Sequence, residues 1–176
     1  MTEPYDVNAA PGDDPKAIVR DWRYPPRAGG CVLLVSADDI YLRRFVGGVA
    51  ASALLNAMRI HINGIGPAPV TLTALDALAK RFPGAVSLSV EADHPTTETR
   101  RPYYAASRFF CAQNLINEFN CNVYTSDIDV LIMRQIPVPN VDYGLFLRDT
   151  GDPRFKVNAG LVFVGRGGAP FLDAMT

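Results

Sequence analysis

Three short apolar segments of this 176-residue chain are each followed by a longer segment with helical spacing, and this alternation constrains the fold most. The apolar segments are 31–36, 59–65 and 86–90. The helical segments are 41–58, 71–82 and a stretch that Pro102 can open. Because a strand, a helix and a parallel strand connect through a right-handed crossover, the sequence predicts an α/β fold, a mainly parallel sheet flanked by helices.

Further strands are expected in the second half of the chain, and none in the first thirty residues. The apolar segments 123–126, 130–133 and 161–164 are predicted strands, and the first two flank Asp127-Ile128-Asp129. Residues 1–30 contain five prolines, which fix φ and lack a backbone donor. We therefore predict a leader or linker over 1–30 and a single domain over 31–176.

Composition excludes several classes of protein. With 17 basic and 18 acidic side chains, the chain has no global cationic field that would indicate a nucleic-acid partner or an anionic membrane. No apolar run approaches the ~20 residues of a membrane span, and the N-terminus is acidic, so a cytoplasmic protein with no transmembrane segment is predicted. The three cysteines, Cys31, Cys111 and Cys121, lie in apolar segments and are interpreted as buried thiols.

Ligands of such sheets bind at the carboxyl ends of the strands, where the first predicted strand is followed by acidic residues. Asp38 and Asp39 could accept a hydrogen bond from a nucleobase, and Tyr41 offers a ring for stacking. The alternative is that the two carboxylates cap the helix that follows. Both roles are compatible, because a cap uses only one carboxylate oxygen.

A second acidic pair, Asp127 and Asp129, follows the segment 123–126. In an extended segment both carboxylates share a face while Ile128 points into the core, so one cation could contact both. Oxygen ligands favour Mg²⁺ or Mn²⁺, with a diphosphate completing the shell. The alternative is a solvated turn. Arg108, on the helix after Pro102, could reach a phosphate or the aspartate pair, or could simply lie on the surface.

Four segments together resemble successive motifs of GT-A glycosyltransferases, most nearly those of family 8. They occur in the family's order within residues 31–170, and their joint occurrence is more specific than any one of them. The segments are Ser36-Ala37-Asp38-Asp39-Ile40-Tyr41, Tyr104-Ala105-Ala106-Ser107-Arg108-Phe109, Asn122-Val123-Tyr124-Thr125-Ser126-Asp127-Ile128-Asp129-Val130-Leu131 and Val157-Asn158-Ala159-Gly160-Leu161.

The resemblance implies a GT-A, Rossmann-like fold and a metal-dependent hexosyltransferase that retains configuration. The donor would be a nucleotide diphosphate sugar, with a UDP-sugar favoured, the acceptor a saccharide or glycoconjugate, and the cofactor Mn²⁺ or Mg²⁺ on Asp127 and Asp129. Asn158 would contact the sugar and Asp149 its hydroxyls. The implied donor-binding residues are Ala37, Asp38, Asp39, Tyr41, Arg108, Ser126, Asp127 and Ile128.

The chain also departs from the family pattern. Family members continue past the Asn-Ala-Gly strand into a region with a histidine metal ligand, whereas this sequence ends at Thr176, and His61 and His94 lie in other segments. A truncated domain is therefore expected. One alternative function is a non-enzymatic nucleotide-sugar-binding module. The other is a haloacid-dehalogenase-type phosphatase, whose nucleophile motif also has the form Asp-x-Asp-x-Val.

Overall fold

The computed structural model describes residues 20–92, 97–147 and 157–175. Within these ranges the chain forms seven strands and four α-helices, with a 3-10 turn before the last helix. The strands are β1 (Asp21–Tyr24), β2 (Cys31–Asp38), β3 (Arg59–Ile65), β4 (Val86–Glu91), β5 (Asn122–Ser126), β6 (Tyr143–Leu147) and β7 (Val157–Val164). The helices are α1 (Asp39–Leu55), α2 (Pro69–Arg81), α3 (Thr97–Phe119) and α4 (Ala169–Met175).

The strands form one mixed sheet in the order β1-β4-β3-β2-β5-β7-β6. The four central strands, β4, β3, β2 and β5, are parallel, as the alternation of strands and helices predicts. β1, β7 and β6 pair antiparallel at the two sides. The carboxyl ends of the four parallel strands therefore lie along one edge of the sheet.

Both faces of the sheet are covered, which explains the apolar run Cys31-Val32-Leu33-Leu34-Val35 of β2. In β2, Leu33 and Val35 join a core cluster with residues of α1 and α2. The alternate residues Val32 and Leu34 join a second cluster with Cys111 of α3 and residues of α4. Because successive side chains point to opposite faces, a strand between two helical layers buries its side chains on both sides, and apolar residues satisfy that burial without hydrogen-bond partners.

The expectation that no element begins before residue 31 is wrong for β1. This strand pairs antiparallel with β4 at the edge of the sheet, and the Trp22 ring packs 5.4 Å from the His61 ring and 4.8 Å from the Phe119 ring, centroid to centroid. Pro25 and Pro26 follow directly after β1. Proline is tolerated there because an edge strand leaves backbone donors unpaired on its outer side.

The segment 130–133 is also not a strand, contrary to the prediction. The backbone of Ile132 finds its partners on α1, where its N–H donates to Ser52 Oγ at 3.0 Å and its carbonyl accepts from Asn56 Nδ2 at 2.8 Å. The Ile132 side chain is buried in the core cluster under α1. An apolar segment can thus be buried by a helix without joining the sheet.

Other boundaries differ by smaller amounts. The third helix begins at Thr97 and not at Pro102, and β6 was not predicted. The cysteines are free thiols, with Cys111 and Cys121 buried and Cys31 half-buried. Burial raises the pKa of the Cys111 thiol to about 12 and that of Cys31 to about 11. Within the described residues, the helices are too short or too polar to cross a membrane.

Candidate functional site

An open cleft of about 450 Å³ lies where β5 ends, at the edge formed by the carboxyl ends of the parallel strands. Asp127, Asp129 and Arg134 line its polar side, and β7 contributes Gly160. Leu131 and Met133 form an apolar wall. The cleft therefore places carboxylates beside an apolar surface, at the position where α/β sheets bind ligands.

The segment Asp127-Ile128-Asp129 forms a turn directly after β5. The Asp127 N–H donates to the Gly160 carbonyl at 3.1 Å, which ties the turn to β7. Ile128 is buried in the core cluster under α1, whereas Asp127 and Asp129 are exposed. The predicted burial of the central residue is confirmed, but in a turn and not in an extended segment.

Arg108 of α3 pairs with this acidic turn, because its Nη1 donates to Asp127 Oδ1. The Arg108 side chain is 13% exposed and that of Asp127 is 48% exposed. The guanidinium therefore approaches from the interior while the carboxylate remains open to the cleft. Arg108 was predicted to reach a phosphate or the aspartate pair, or to lie on the surface. The structure shows the contact with one member of that pair, Asp127.

Helix α3 is held over the strand ends by two further polar contacts. Ser107 Oγ lies 2.8 Å from Ser36 Oγ on β2, and Tyr103 OH donates to Glu91 Oε1 on β4 at 2.8 Å. Together with Arg108, these side chains contact the carboxyl ends of three parallel strands. The packing of the whole helix therefore determines where the guanidinium lies at Asp127. A flexible side chain on the surface would not be fixed in this way.

The donor set at the turn fits a hard divalent cation in part. Asp127 and Asp129 offer oxygen ligands only, which suits Mg²⁺ or Mn²⁺. Within residues 20–92, 97–147 and 157–175, no group of three or more His, Cys, Asp or Glu side chains could hold a metal ion. Two carboxylates would leave most of an octahedral shell to water or to phosphate oxygens, as at the Mg²⁺ sites of nucleotide-binding proteins.

At the end of β2, Asp38 is the N-cap of α1. Its Oδ1 accepts the Tyr41 backbone N–H at 3.0 Å, so the predicted capping alternative is present. Ala37 is buried. Tyr41 is half exposed, and its ring lies 5.7 Å from that of Phe45, centroid to centroid.

Asp39 joins α1 to the start of α2. Its Oδ1 accepts from Thr71 Oγ1 at 2.6 Å and from the Ala68 N–H at 2.9 Å, and Arg43 Nη2 lies 3.0 Å from Oδ2. The hydrogen bond from Thr71, followed by that from Ala68, lowers the pKa of the Asp39 carboxyl. Both oxygens of Asp39 therefore have protein partners, which favours a structural role.

A chain of buried polar side chains runs beneath the site, and the sequence analysis missed it. The contacts are His61 Nδ1 with Ser87 Oγ at 2.9 Å, His61 Nε2 with Ser89 Oγ at 2.9 Å, Ser89 Oγ with Asn63 Oδ1 at 2.7 Å, Asn63 Nδ2 with Ser36 Oγ at 2.9 Å and Ser36 Oγ with Ser107 Oγ at 2.8 Å. The available signal was the polar alternation at residues 61 and 63 of β3 and residues 87 and 89 of β4.

The structure describes only some of the remaining predicted site residues. Ser126 is buried at the cleft, where its Oγ donates to the Asp127 carbonyl at 3.1 Å, while the Ile128 side chain faces the core. Asn158 lies on β7, paired with Phe146, and its side chain is outside the described part of the structure, as is all of Asp149. His94, which lies in the wrong segment to serve as the family's histidine ligand, is also outside the described residues.

Comparisons with protein-family profiles and with curated protein sequences found no match to this chain. Solved structures do resemble its fold. The glycosyltransferase GlyE of Streptococcus pneumoniae TIGR4 gives a TM-score of 0.53 at 12% identity, over 85% of this chain and 37% of GlyE. The galactosyltransferase LgtC, solved with donor and acceptor sugar analogs, gives a TM-score of 0.47 at 18% identity, over 77% of this chain and 58% of LgtC.

The chain has a GT-A glycosyltransferase fold. This conclusion rests on the similarity to GlyE together with the mixed seven-stranded sheet, and it confirms the predicted fold class. The narrower assignment to family 8 stays a prediction. The chain spans less than two thirds of either solved structure, so the similarity concerns the fold of this part and not the whole of those proteins.

The sequence analysis also missed the cleft residues Leu131, Met133 and Arg134. The segment 130–133 was expected to be a strand, which would have placed Leu131 and Met133 within the sheet and Arg134 directly after it. The exposure of Leu131 and Met133, at 62% and 84%, shows that they face away from the core. Their position next to the acidic turn was the only sequence signal that could have indicated a place in the site.

Proposed function

We propose that this chain is the donor-binding part of a metal-dependent glycosyltransferase. It transfers a hexose, with retention of configuration, from a nucleotide diphosphate sugar to a saccharide or glycoconjugate acceptor, and a UDP-sugar is the favoured donor. Mn²⁺ or Mg²⁺ is the cofactor, held by Asp127 and Asp129. The observation that carries the proposal is that both carboxylates line one cleft at the carboxyl end of β5, where Arg108 pairs with Asp127.

The chemistry of this edge suits a diphosphate donor. A divalent cation on Asp127 and Asp129 would neutralise the charge that develops on the diphosphate as its bond to the sugar breaks. Arg108 pairs with Asp127, and a guanidinium at this position can donate to phosphate oxygens. Asp38 and Tyr41, after β2, are proposed to contact the base, and Asn158 and Asp149 the sugar.

The phosphatase alternative is disfavoured by the order of the strands. A haloacid-dehalogenase mechanism would need a later Thr or Ser, a lysine and an acidic pair on successive strands of the same sheet. The described strands after β5 are β7 and β6, and both run antiparallel to their neighbours.

Replacing both Asp127 and Asp129 with asparagine is expected to weaken Mn²⁺-dependent binding of UDP roughly a hundredfold or more, because two charged ligands are lost without loss of volume. Titration calorimetry with UDP, in the presence and absence of Mn²⁺, measures the effect. Asp21→Asn, on β1 at the far side of the sheet, is the matched control and should bind like the unmodified chain. Unchanged Mn²⁺-dependent affinity in the double variant would refute the metal assignment.

The same protein samples distinguish an enzyme from a binding module. A glycosyltransferase should release UDP from a UDP-hexose in the presence of Mn²⁺, faster than the double asparagine variant does. A module that only binds nucleotide sugars should show the same affinity for UDP with no release above that variant. Coupled detection of UDP therefore decides between the two functions once binding has been established.

Two substitutions at Asp38 separate its cap from its proposed contact with the base. Asp38→Ala removes the hydrogen bond to the Tyr41 N–H and should cost about 1 kcal/mol in the free energy of unfolding. Asp38→Asn keeps a capping oxygen, so it should leave stability nearly unchanged but weaken UDP binding by about 1–3 kcal/mol if a base N–H loses its charged acceptor. Chemical denaturation and calorimetry measure the two effects. An Asp38→Asn protein with unchanged UDP affinity would leave Asp38 as a cap alone.

A further inference from the structure

We propose that Arg108 is a counter-charge that opposes binding of the metal ion alone and makes metal and nucleoside diphosphate bind together. The inference rests on the proposed function and adds an order of binding to it. In the structure Arg108 Nη1 donates to Asp127 Oδ1, the same carboxylate that is proposed to hold the metal. A cation that approaches Asp127 therefore meets a site whose charge is already partly neutralised.

Burial makes this neutralisation effective. The Arg108 side chain is 13% exposed, so its charge is screened less by water than that of a surface arginine. The contacts of Ser107 with Ser36 and of Tyr103 with Glu91 fix the helix that carries it. The guanidinium is thus kept at the acidic turn, and a divalent ion would have to bind beside a fixed positive charge.

When a diphosphate is present, the charge of Arg108 favours binding instead of opposing it. It brings several negative charges and its own oxygen ligands to the turn, so a guanidinium that repels a bare metal ion attracts the metal-bound nucleotide. Asp127 is half exposed and Asp129 is exposed, which leaves carboxylate oxygens accessible from the cleft while Arg108 lies on the inner side. One side chain therefore affects the two ligands in opposite directions.

The test uses Arg108→Met, which keeps the length of the aliphatic stem and removes the charge. Mn²⁺ alone should bind roughly three- to thirtyfold tighter to this variant, measured by the loss of the electron paramagnetic resonance signal of free Mn²⁺. Binding of UDP at a saturating Mn²⁺ concentration should become roughly tenfold weaker, measured by calorimetry. An explanation based only on the incomplete ligand shell expects no gain in Mn²⁺ affinity.

Two further variants serve as controls. Arg166→Met removes an exposed positive charge at the opposite edge of the sheet, where the Arg166 N–H donates to Asn122 Oδ1 at the start of β5, and should leave both affinities within about twofold. Arg108→Lys keeps the charge and should resemble the unmodified chain in its weak binding of Mn²⁺ alone. Thermal unfolding of each variant verifies that it is folded before binding is measured.

The outcomes separate this inference from the proposed function. Tighter Mn²⁺ binding and weaker UDP binding in Arg108→Met, without the same changes in Arg166→Met, support the counter-charge. Unchanged or weaker Mn²⁺ binding in a folded Arg108→Met protein overturns it, as does an equal gain in Arg166→Met, which would indicate a bulk charge effect. Failure of the proposed function would appear instead as Mn²⁺-dependent UDP binding that survives loss of both Asp127 and Asp129.

Discussion

Replacing Glu91 with alanine is expected to lower the free energy of unfolding by about 3–5 kcal/mol at neutral pH, because it leaves a buried arginine without its partner. Arg20 Nη2 lies 3.0 Å from Glu91 Oε2, with the two side chains 5% and 0% exposed. Glu91 also accepts from Tyr103 OH. Removing the carboxylate therefore leaves the Arg20 charge without its carboxylate partner and leaves Tyr103 OH without its acceptor.

A double substitution separates this penalty from simple loss of packing. In Arg20→Met with Glu91→Gln both charges are absent, while glutamine still offers Tyr103 an acceptor. Most of the lost stability should return, because a buried ion pair replaced as a whole costs little. Urea denaturation of Arg20→Met, of Glu91→Gln and of the double variant measures the coupling between the two side chains. Additive losses, with the double variant the least stable, would contradict the proposed role of the ion pair.

The second large effect is a loss of stability in acid caused by His61. Burial, followed by repulsion from Arg20, lowers the pKa of His61 to about 3. Its ring nitrogens contact Ser87 and Ser89, and Ser89 donates onward to Asn63 Oδ1, so Ser89 is left to accept from His61 Nε2–H. The neutral imidazole therefore fits this chain of hydrogen bonds.

The direction of the pH effect follows from linkage. As the pH falls below the ordinary histidine pKa of about 6.5, the unfolded chain binds a proton at His61 while the folded chain does not. Stability is therefore present above about pH 6.5 and is lost by about 1.4 kcal/mol per pH unit until the folded pKa near 3 is reached.

His61→Gln isolates this contribution, because glutamine can donate and accept but does not titrate. The measurement is the unfolding free energy from urea denaturation between about pH 7 and pH 5, with the unmodified chain losing stability faster than the variant. Burial raises the pKa of Glu91, and a raised carboxyl pKa contributes a stability change of the opposite sign as the pH falls. Glu91 is present in both proteins, so it cancels in the difference. Equal loss of unfolding free energy with falling pH in the two proteins would refute the link between His61 protonation and stability.

These two effects bear on the site because the groups concerned support α3. Glu91 holds Tyr103, and the polar chain from His61 ends at Ser107, the residue before Arg108. Loosening either support should reduce the order of the helix that carries Arg108 to Asp127. The support of the cleft is therefore polar and buried, and it lies under strands that are otherwise apolar.

The sequence by itself determined the layered fold. The uninterrupted apolar segment of β2 required cover on both faces, and the alternation of such segments with helical spacing required parallel strands joined by crossovers. The same reasoning placed Asp38 and Asp127 at the ligand-binding edge of the sheet. These inferences succeed because side-chain periodicity reports local burial directly, whichever element provides the cover.

Only the tertiary structure decided which partner each segment meets. The apolar segment 130–133 is buried by α1 and not by the sheet, and β1 joins the sheet despite its neighbouring prolines. The pairing of Arg108 with Asp127, and the use of Asp39 to join two helices, also depend on contacts between residues far apart in the sequence. Periodicity specifies that a side chain is buried or exposed, whereas the identity of its partner depends on how whole elements pack.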